Sequence, residues 1–300
     1  MKSIIFVILI LSAFSTASIA QVLDPDLGPR AWKKENVEQD EAVALTHIRE
    51  ADVMWSKRIW RTLDLRQKMN LELYYPIDSA TLGKRSFIQV IYDEFVMNSE
   101  NVGPDAVKMY KTYQLREPYT ADELRNYFNP RDTVANINPS GNLVDTLVEQ
   151  FFTDIKEEVI KVRLMEDWFF DKQRSVLDVR ILALAVEIPS YYPITATDPF
   201  TQQAIFDGWG KQDEPMVFWF YFPAMRSVLA RHECFKRHND AARVSYDDIF
   251  LSRMFNSYVI KVENVYDRAI MDYTAGLEAL LEAEKISNSI ETFEHDMWEY

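Results

Sequence analysis

The chain has 300 residues, a formal net charge of −14 at pH 7, 48% hydrophobic residues and 13% aromatics. That supplies the core of one large or two modest domains, and the negative charge argues against partners made of nucleic acid or anionic lipid. Seven glycines leave little room for Gly-rich phosphate loops, and a single cysteine, Cys234, excludes an internal disulfide.

Residues 1–20 read as a signal peptide cleaved after Ala20. Lys2 is the positive start, residues 4–14 are an apolar run too short to span a bilayer comfortably, and Ser18-Ile19-Ala20 puts small residues at the cut. No cysteine follows the cut, so this is not a lipoprotein signal. Cleavage removes Lys2 and no acid, taking the charge from −14 to −15. No later run has the length and apolarity of a membrane span. The mature product is expected to be exported, and either soluble or attached through another protein.

Residues 21–45 read as an extended arm with Pro25, Gly28 and Pro29, and residues 38–50 predict a short helix. Residues 52–76, DVMWSKRIWRTLDLRQKMNLELYYP, interleave aromatics and charges most densely. A degenerate echo lies at 247–261, matching Asp52 with Asp247, Trp55 with Phe250, Arg58 with Arg253 and Trp60 with Phe255. Each copy predicts a short helix opened by an Asp cap and followed by a strand. The alternative is two unrelated units that both need large core residues.

Residues 86–97 predict a helix capped by Ser86, and 107–113 a strand. Thr120-Ala121-Asp122-Glu123 is a capping box opening a helix to Phe128. Residues 129–142, with Pro130, Pro139 and Gly141, read as a turn-rich connector. Two β-prone runs within 159–188 flank Asp171-Lys172-Gln173-Arg174 and predict a hairpin, with Leu177, Val179, Ile181, Ala183 and Ala185 on one face. Residues 189–214 read as a long binding loop. MVFWFYF at 216–222 is a buried strand, which Pro223 stops or turns into a helix. Residues 274–299 form an amphipathic helix through Leu277, Leu280, Leu281, Ile286, Ile290, Phe293 and Met297.

The fold class is α+β: a mixed, mainly antiparallel sheet with short helices and a C-terminal amphipathic helix. The core spans 46–272, with a candidate break between lobes near 129–150, and the terminal helix occupies 273–300.

No nucleophile elbow, Walker loop or dinucleotide fingerprint is present, and no cofactor is expected. His232-Glu233-Cys234 comes nearest to a metal signature. The second histidine of a zinc helix belongs four residues after the first, where Lys236 stands, so the cluster reads as a solvated helix end with one semi-buried thiol. Glu166 and Asp167 face opposite sides of a strand and cannot share a substrate atom; with Asp171 they read as a solvated hairpin tip. Trp168, Phe169 and Phe170 read as a core ridge before a sugar platform. Ser79, Thr133 and Thr146 follow aspartates and precede Ala, Val and Leu. They resemble acceptors of the periplasmic O-glycosylation system of Bacteroidota; ordinary turn chemistry is the alternative.

Several long stretches resemble one family. They are MWSKRIWRTLDLRQKMNLELYYP (54–76), EDWFFDKQRS (166–175), VFWFYFP (217–223), YDDIFLSRMFNSYVIKVENVYDR (246–268) and FEHDMWEY (293–300). In collinear order they look like the gliding-motility family GldN, also called PorN; residues 129–155 match least. The resemblance implies a non-enzymatic periplasmic subunit of the type IX secretion system. It implies a large ring built with an outer-membrane lipoprotein of the GldK/PorK type and meeting the periplasmic part of a GldM/PorM-type motor protein. Localisation would be the periplasm, at the inner face of the outer membrane.

Ring subunits meet through unlike faces, and exposed aromatics and Arg suit such interfaces. The candidates are Trp55, Arg58, Trp60, Arg61, Trp168, Phe169 and Trp209. The competing readings are an exported hydrolase acting on glycan or peptide, which needs convergent carboxylates or histidines, and a carbohydrate-binding module, which needs coplanar exposed aromatics.

Overall fold

The computed structural model describes residues 22–24, 28–30, 41–77, 83–97, 107–137, 143–149, 156–197, 204–237, 239 and 243–298. The predicted signal segment, Ala20 and Ser79 lie outside them. Near the start, β1 (Val22–Asp24) and β2 (Gly28–Arg30) pair antiparallel. Residues 41–49 form no helix, contrary to expectation; a single 3-10 turn at Glu50–Asp52 runs straight into β3 (Val53–Asp64).

β3 corrects the reading of the echo. Residues 53–64 are strand throughout, because Val53, Trp55, Ile59, Trp60 and Thr62 are β-branched or aromatic, β7 pairs along the whole strand, and β12 adds a second neighbour at Ile59–Thr62. The later copy is helix then strand, but its cap is Ser245, not Asp247. Ser245 Oγ accepts the Asp248 N–H while the Asp248 carboxylate reaches back to the Ser245 N–H.

After β3 come α1 (Leu71–Tyr74) and α2 (Phe87–Ile91), the latter capped by Ser86 as predicted and continuing as a π-helix at Tyr92–Met97. The strand expected at 107–113 shrinks to β4 (Met109–Tyr110). α3 (Ala121–Phe128) has the predicted capping box. Within the predicted connector, residues 131–137 form a strand, β5 (Arg131–Ile137), which pairs with β6 (Leu143–Glu149) just beyond it; 138–142 lie outside the described residues. The predicted hairpin is β7 (Lys161–Asp171) and β8 (Val176–Ile188).

The long loop is corrected to a two-stranded ribbon of β9 (Tyr191–Thr197) and β10 (Ala204–Lys211). A ribbon tolerates Pro193, which cannot donate to a central ladder. β11 (Met216–Tyr221) passes directly into α4 (Phe222–Arg231), with Pro223 in its first turn. α5 (Tyr246–Leu251), β12 (Tyr258–Val262) and α6 (Leu277–Trp298) complete the chain.

The main sheet has six antiparallel strands in the order β12-β3-β7-β8-β11-β4. Toward one end of its first face, Leu63, Leu164, Leu184, Phe218 and Phe220 bury against side chains of α2, α3, α4 and α5. At the other end of that face, Ile59 and Val259 bury against α6. On the second face Trp60 and Trp219 flank the small Ala183 and Ala185, roofed by Tyr110, Tyr113 and Leu115. A bulge at Leu182 explains why Ile181 and Ala183 do not share a face: Glu166 pairs with Ile181 and Met165 with Ala183. Leu177 and Ile181 therefore go to the helical face, and Ala183 and Ala185 to the other.

Candidate assembly surfaces

Most of the aromatics and arginines expected to reach partners are engaged inside the chain. Trp60 is 7% exposed; Tyr113 lies edge-on to it at 5.7 Å, and the Lys261 ammonium is 4.9 Å from its ring. Phe169 is buried at 5% exposure. For these two, core packing is the reading: Tyr110, Tyr113 and Leu115 cover Trp60, and Phe169 sits between strand neighbours on both sides. Trp55 is half-buried and stacks on Phe293 of α6 at 4.8 Å. Trp209 is half-buried in β10 beside Phe206, at 5.9 Å.

Neighbouring carboxylates on β7 point to opposite faces, and each faces one arginine of the echo pair. Asp167 accepts two bonds from Arg58, at 2.7 and 2.9 Å, which raise the Arg58 pKa further. Glu166, on the helical face, is fully buried and accepts from both terminal nitrogens of Arg253, at 2.8 and 3.2 Å, and from Trp168 Nε1–H at 3.0 Å. The Arg253 guanidinium also lies over Trp168 at 5.4 Å and Phe255 at 5.3 Å. Arg253 itself has φ of 53°, a left-handed conformation that aims its side chain back at β7. Arg61 donates to Ser257 Oγ and its carbonyl at 2.8 and 2.9 Å; burial lowers its pKa and Glu166 opposes that shift. Glu166 is thus an internal anchor where the two halves of the first face meet, not part of a solvated tip. Asp171 does sit at the tip, where it is also buried. It accepts the Gln173 and Arg174 N–H groups and the Arg174 guanidinium, and these bonds lower its pKa.

His232-Glu233-Cys234 is likewise not a solvated end. Cys234 and Glu233 are buried, and His232 Nε2 is 3.2 Å from Glu94. Among the described residues, no three His, Cys, Asp or Glu side chains gather around a metal-sized site.

The open apolar surface lies elsewhere. Of the apolar stripe expected on α6, Ile286, Ile290 and Phe293 do pack inward, but Leu277, Leu280 and Leu281 do not. At its start the helix packs through Ala279 and Ala283, whose small side chains let it approach the sheet closely. The three leucines occupy the opposite stripe and are 54–72% exposed. Beside them, Asn264 organises a tight turn. Its Nδ2 donates to the Val262 and Arg268 carbonyls, and its Oδ1 accepts the Tyr266 and Arg268 N–H groups. This holds Val265 at the tip, 98% exposed, with Tyr266, Met271 and Tyr273 also outward. A notch of about 360 Å³ separates the turn from α6, between Lys57, Tyr266, Tyr273 and Ile286.

A second opening, a groove of about 740 Å³, is lined by Met69, Leu71, Tyr75, Phe235 and Met254, with Lys68, Lys236 and Arg237 at its sides. On the β9–β10 ribbon, Tyr192 and Ile194 are exposed. Tyr192 lies across Gly210, where an added Cβ would come within 2.6 Å of its ring. Periodicity alone could not locate these surfaces, since it finds apolar stripes without saying which one faces inward. The one available signal was the second stripe of leucines on a helix whose alanines already formed a continuous row.

The described surface leaves apolar side chains open, and the fold is α+β. A family model described as gliding motility associated protein GldN matches residues 48–299, and the chain belongs to that family. It is a component of the gliding-motility and type IX secretion machinery. A search of curated proteins gave no match. No described helix is long and apolar enough to cross a membrane.

Proposed function

We propose that the chain is a non-enzymatic periplasmic subunit of this machinery. It is exported by its first 20 residues and held at the inner face of the outer membrane by a lipoprotein of the GldK/PorK type. With that partner it builds a large ring that meets a GldM/PorM-type motor protein. The observation that carries this reading is the family match over residues 48–299. The exposed leucine stripe of α6 and the Met69 groove support it, because apolar surface left open on a folded chain marks sites for partners. Trp55, Arg58, Arg61, Trp168 and Trp209 remain candidates for that contact surface where their half-buried side chains reach solvent.

Co-purification tests the role. A tagged mature chain drawn from the envelope in mild detergent should bring down one lipoprotein in near-equal amount, together with the motor protein. Recovery alone would sink the proposal. The hydrolase reading gains no support from Glu166 and Asp167, which are committed to Arg253 and Arg58. Thr133 of β5 and Thr146 of β6 stay candidate O-glycosylation acceptors with Ser79; intact mass of the exported chain decides, with an unmodified mass rejecting them.

A further inference from the structure

We infer that the leucine-bearing end of α6 in one copy docks into the Met69–Met254 groove of the next copy, head to tail. The inference rests on the assembly-subunit reading above and names the faces it uses.

The two surfaces are set apart along β3. Ala279 and Ala283, on the turns of α6 that carry the leucines, pack in one cluster with Ile59; the groove begins just past the strand's end at Asp64, at Lys68 and Met69. At roughly 3.3 Å per residue, the five steps from Ile59 to Asp64 cover about 17 Å. A copy can therefore give one surface and receive on the other without the two sites colliding.

Their chemistry is complementary. The groove is lined by Lys68, Lys236 and Arg237 against one carboxylate, Glu72; Lys236 is ion-paired with Glu72, so Lys68 and Arg237 carry the groove's net positive charge, on a chain whose net charge is −14. α6 carries six carboxylates, at 278, 282, 284, 291, 294 and 296, against one lysine, Lys285. Leu277, Leu280 and Leu281 point away from the sheet, and Glu284 continues the same stripe one turn on. A short apolar knob with acid beside it thus faces an apolar slot with base beside it. Two methionines and the rings of Tyr75 and Phe235 let that slot adapt to leucine side chains.

A symmetric contact is disfavoured at either surface. Knob on knob would bring the α6 carboxylates together, and groove on groove would bring the cations together. Knob in groove leaves each growing chain of copies with one free groove at one end and one free knob at the other, so the contact repeats.

The test is sedimentation of the mature chain, residues 21–300, across concentration at low and high salt. Two variants are placed at exposed positions: Leu277→Asp with Leu281→Asp for the knob, and Lys68→Glu with Arg237→Glu for the groove. Wild type should grow beyond a dimer, and salt should weaken that growth. Each variant should self-associate at least tenfold more weakly while keeping the wild-type circular dichroism melt. An equimolar mixture of the two variants should recover a one-to-one dimer and stop there, since it holds one working knob and one working groove. As a second line, Leu281→Cys with Met69→Cys in one chain should give an oxidised ladder, and either cysteine alone should not. A monomeric wild type, variants that associate like wild type, or a mixture that stays monomeric would overturn the inference. If the wild type is monomeric but still co-purifies with the secretion machinery, only this inference fails. If it does not co-purify, the assembly reading fails as well.

Discussion

Arg253→Ala removes the partner of a carboxylate with no exposed surface. Glu166 would keep only the Trp168 Nε1–H bond at 3.0 Å, with Arg61 behind it. Breaking a buried ion pair by deleting one side costs about 3–5 kcal/mol, mainly from the stranded charge. The Arg253 side chain is 30% exposed, so water can partly replace it, which favours the lower end, about 3 kcal/mol. At roughly 2–4 °C per kcal/mol, the melting midpoint should fall by about 6–12 °C. Urea unfolding read by tryptophan fluorescence suits the case, because Trp168 is stacked on the guanidinium being removed. Glu166→Gln with Arg253→Met should cost less than the sum of the single changes, since together they remove both charges. A loss under about 1 kcal/mol for Arg253→Ala is what an exposed pair would give, and it would refute Glu166 as an internal anchor.

Further expectations concern acid stability, the thiol and the terminal helix. Glu123 is held at about 2, below its ordinary 4.5, chiefly by the Thr120 N–H and then by Lys111. A depressed carboxyl stabilises the fold above its unfolded value, so the capping box of α3 should persist at pH 5 and weaken between about 4.5 and 2. The Thr120 amide resonance should report that midpoint, and a midpoint near 4.5 would contradict it. Burial pushes the Cys234 thiol up to about 11, against the pull of Lys236. The native protein should resist thiol reagents at pH 8 and react once unfolded in urea; prompt native labelling would show Cys234 to be accessible. Ile290→Ala should cost about 2–5 kcal/mol, as for other large-to-small core changes, and raise hydrogen exchange in α6 first. Unchanged exchange in α6 would mean that this helix is not docked through Ile290.

The parts of the fold legible in the sequence were those set by local chemistry. Ser86 and Thr120 cap their helices, Asp171–Arg174 turns the central hairpin, and Pro223 starts a helix directly after a buried strand. Errors arose where tertiary context decides. The second half of β3 is buried on both faces, so Ile59 and Trp60 are both core residues and the two-residue alternation of a half-exposed strand is lost there. In 129–142, Pro130, Pro139 and Gly141 make the sequence read as a connector, yet residues 131–137 are strand because they pair with 143–149. At the start of α6 the inward stripe is built on alanines, which a search for large apolar residues passes over. Sequence named aromatic and arginine anchors, whereas Trp60 and Phe169 pack the core, and the exposed apolar surface belongs to Val265, Tyr266 and the α6 leucines.

The most direct measurement is the size and composition of the native assembly. The mature chain, tagged at its C-terminus, is taken from the envelope in mild detergent, run on size exclusion, and the peak is read by mass spectrometry. A very large particle containing a lipoprotein in near-equal amount, with the motor protein attached, is the predicted result. A peak at the chain's own mass, free of both, would contradict a structural role in the secretion ring.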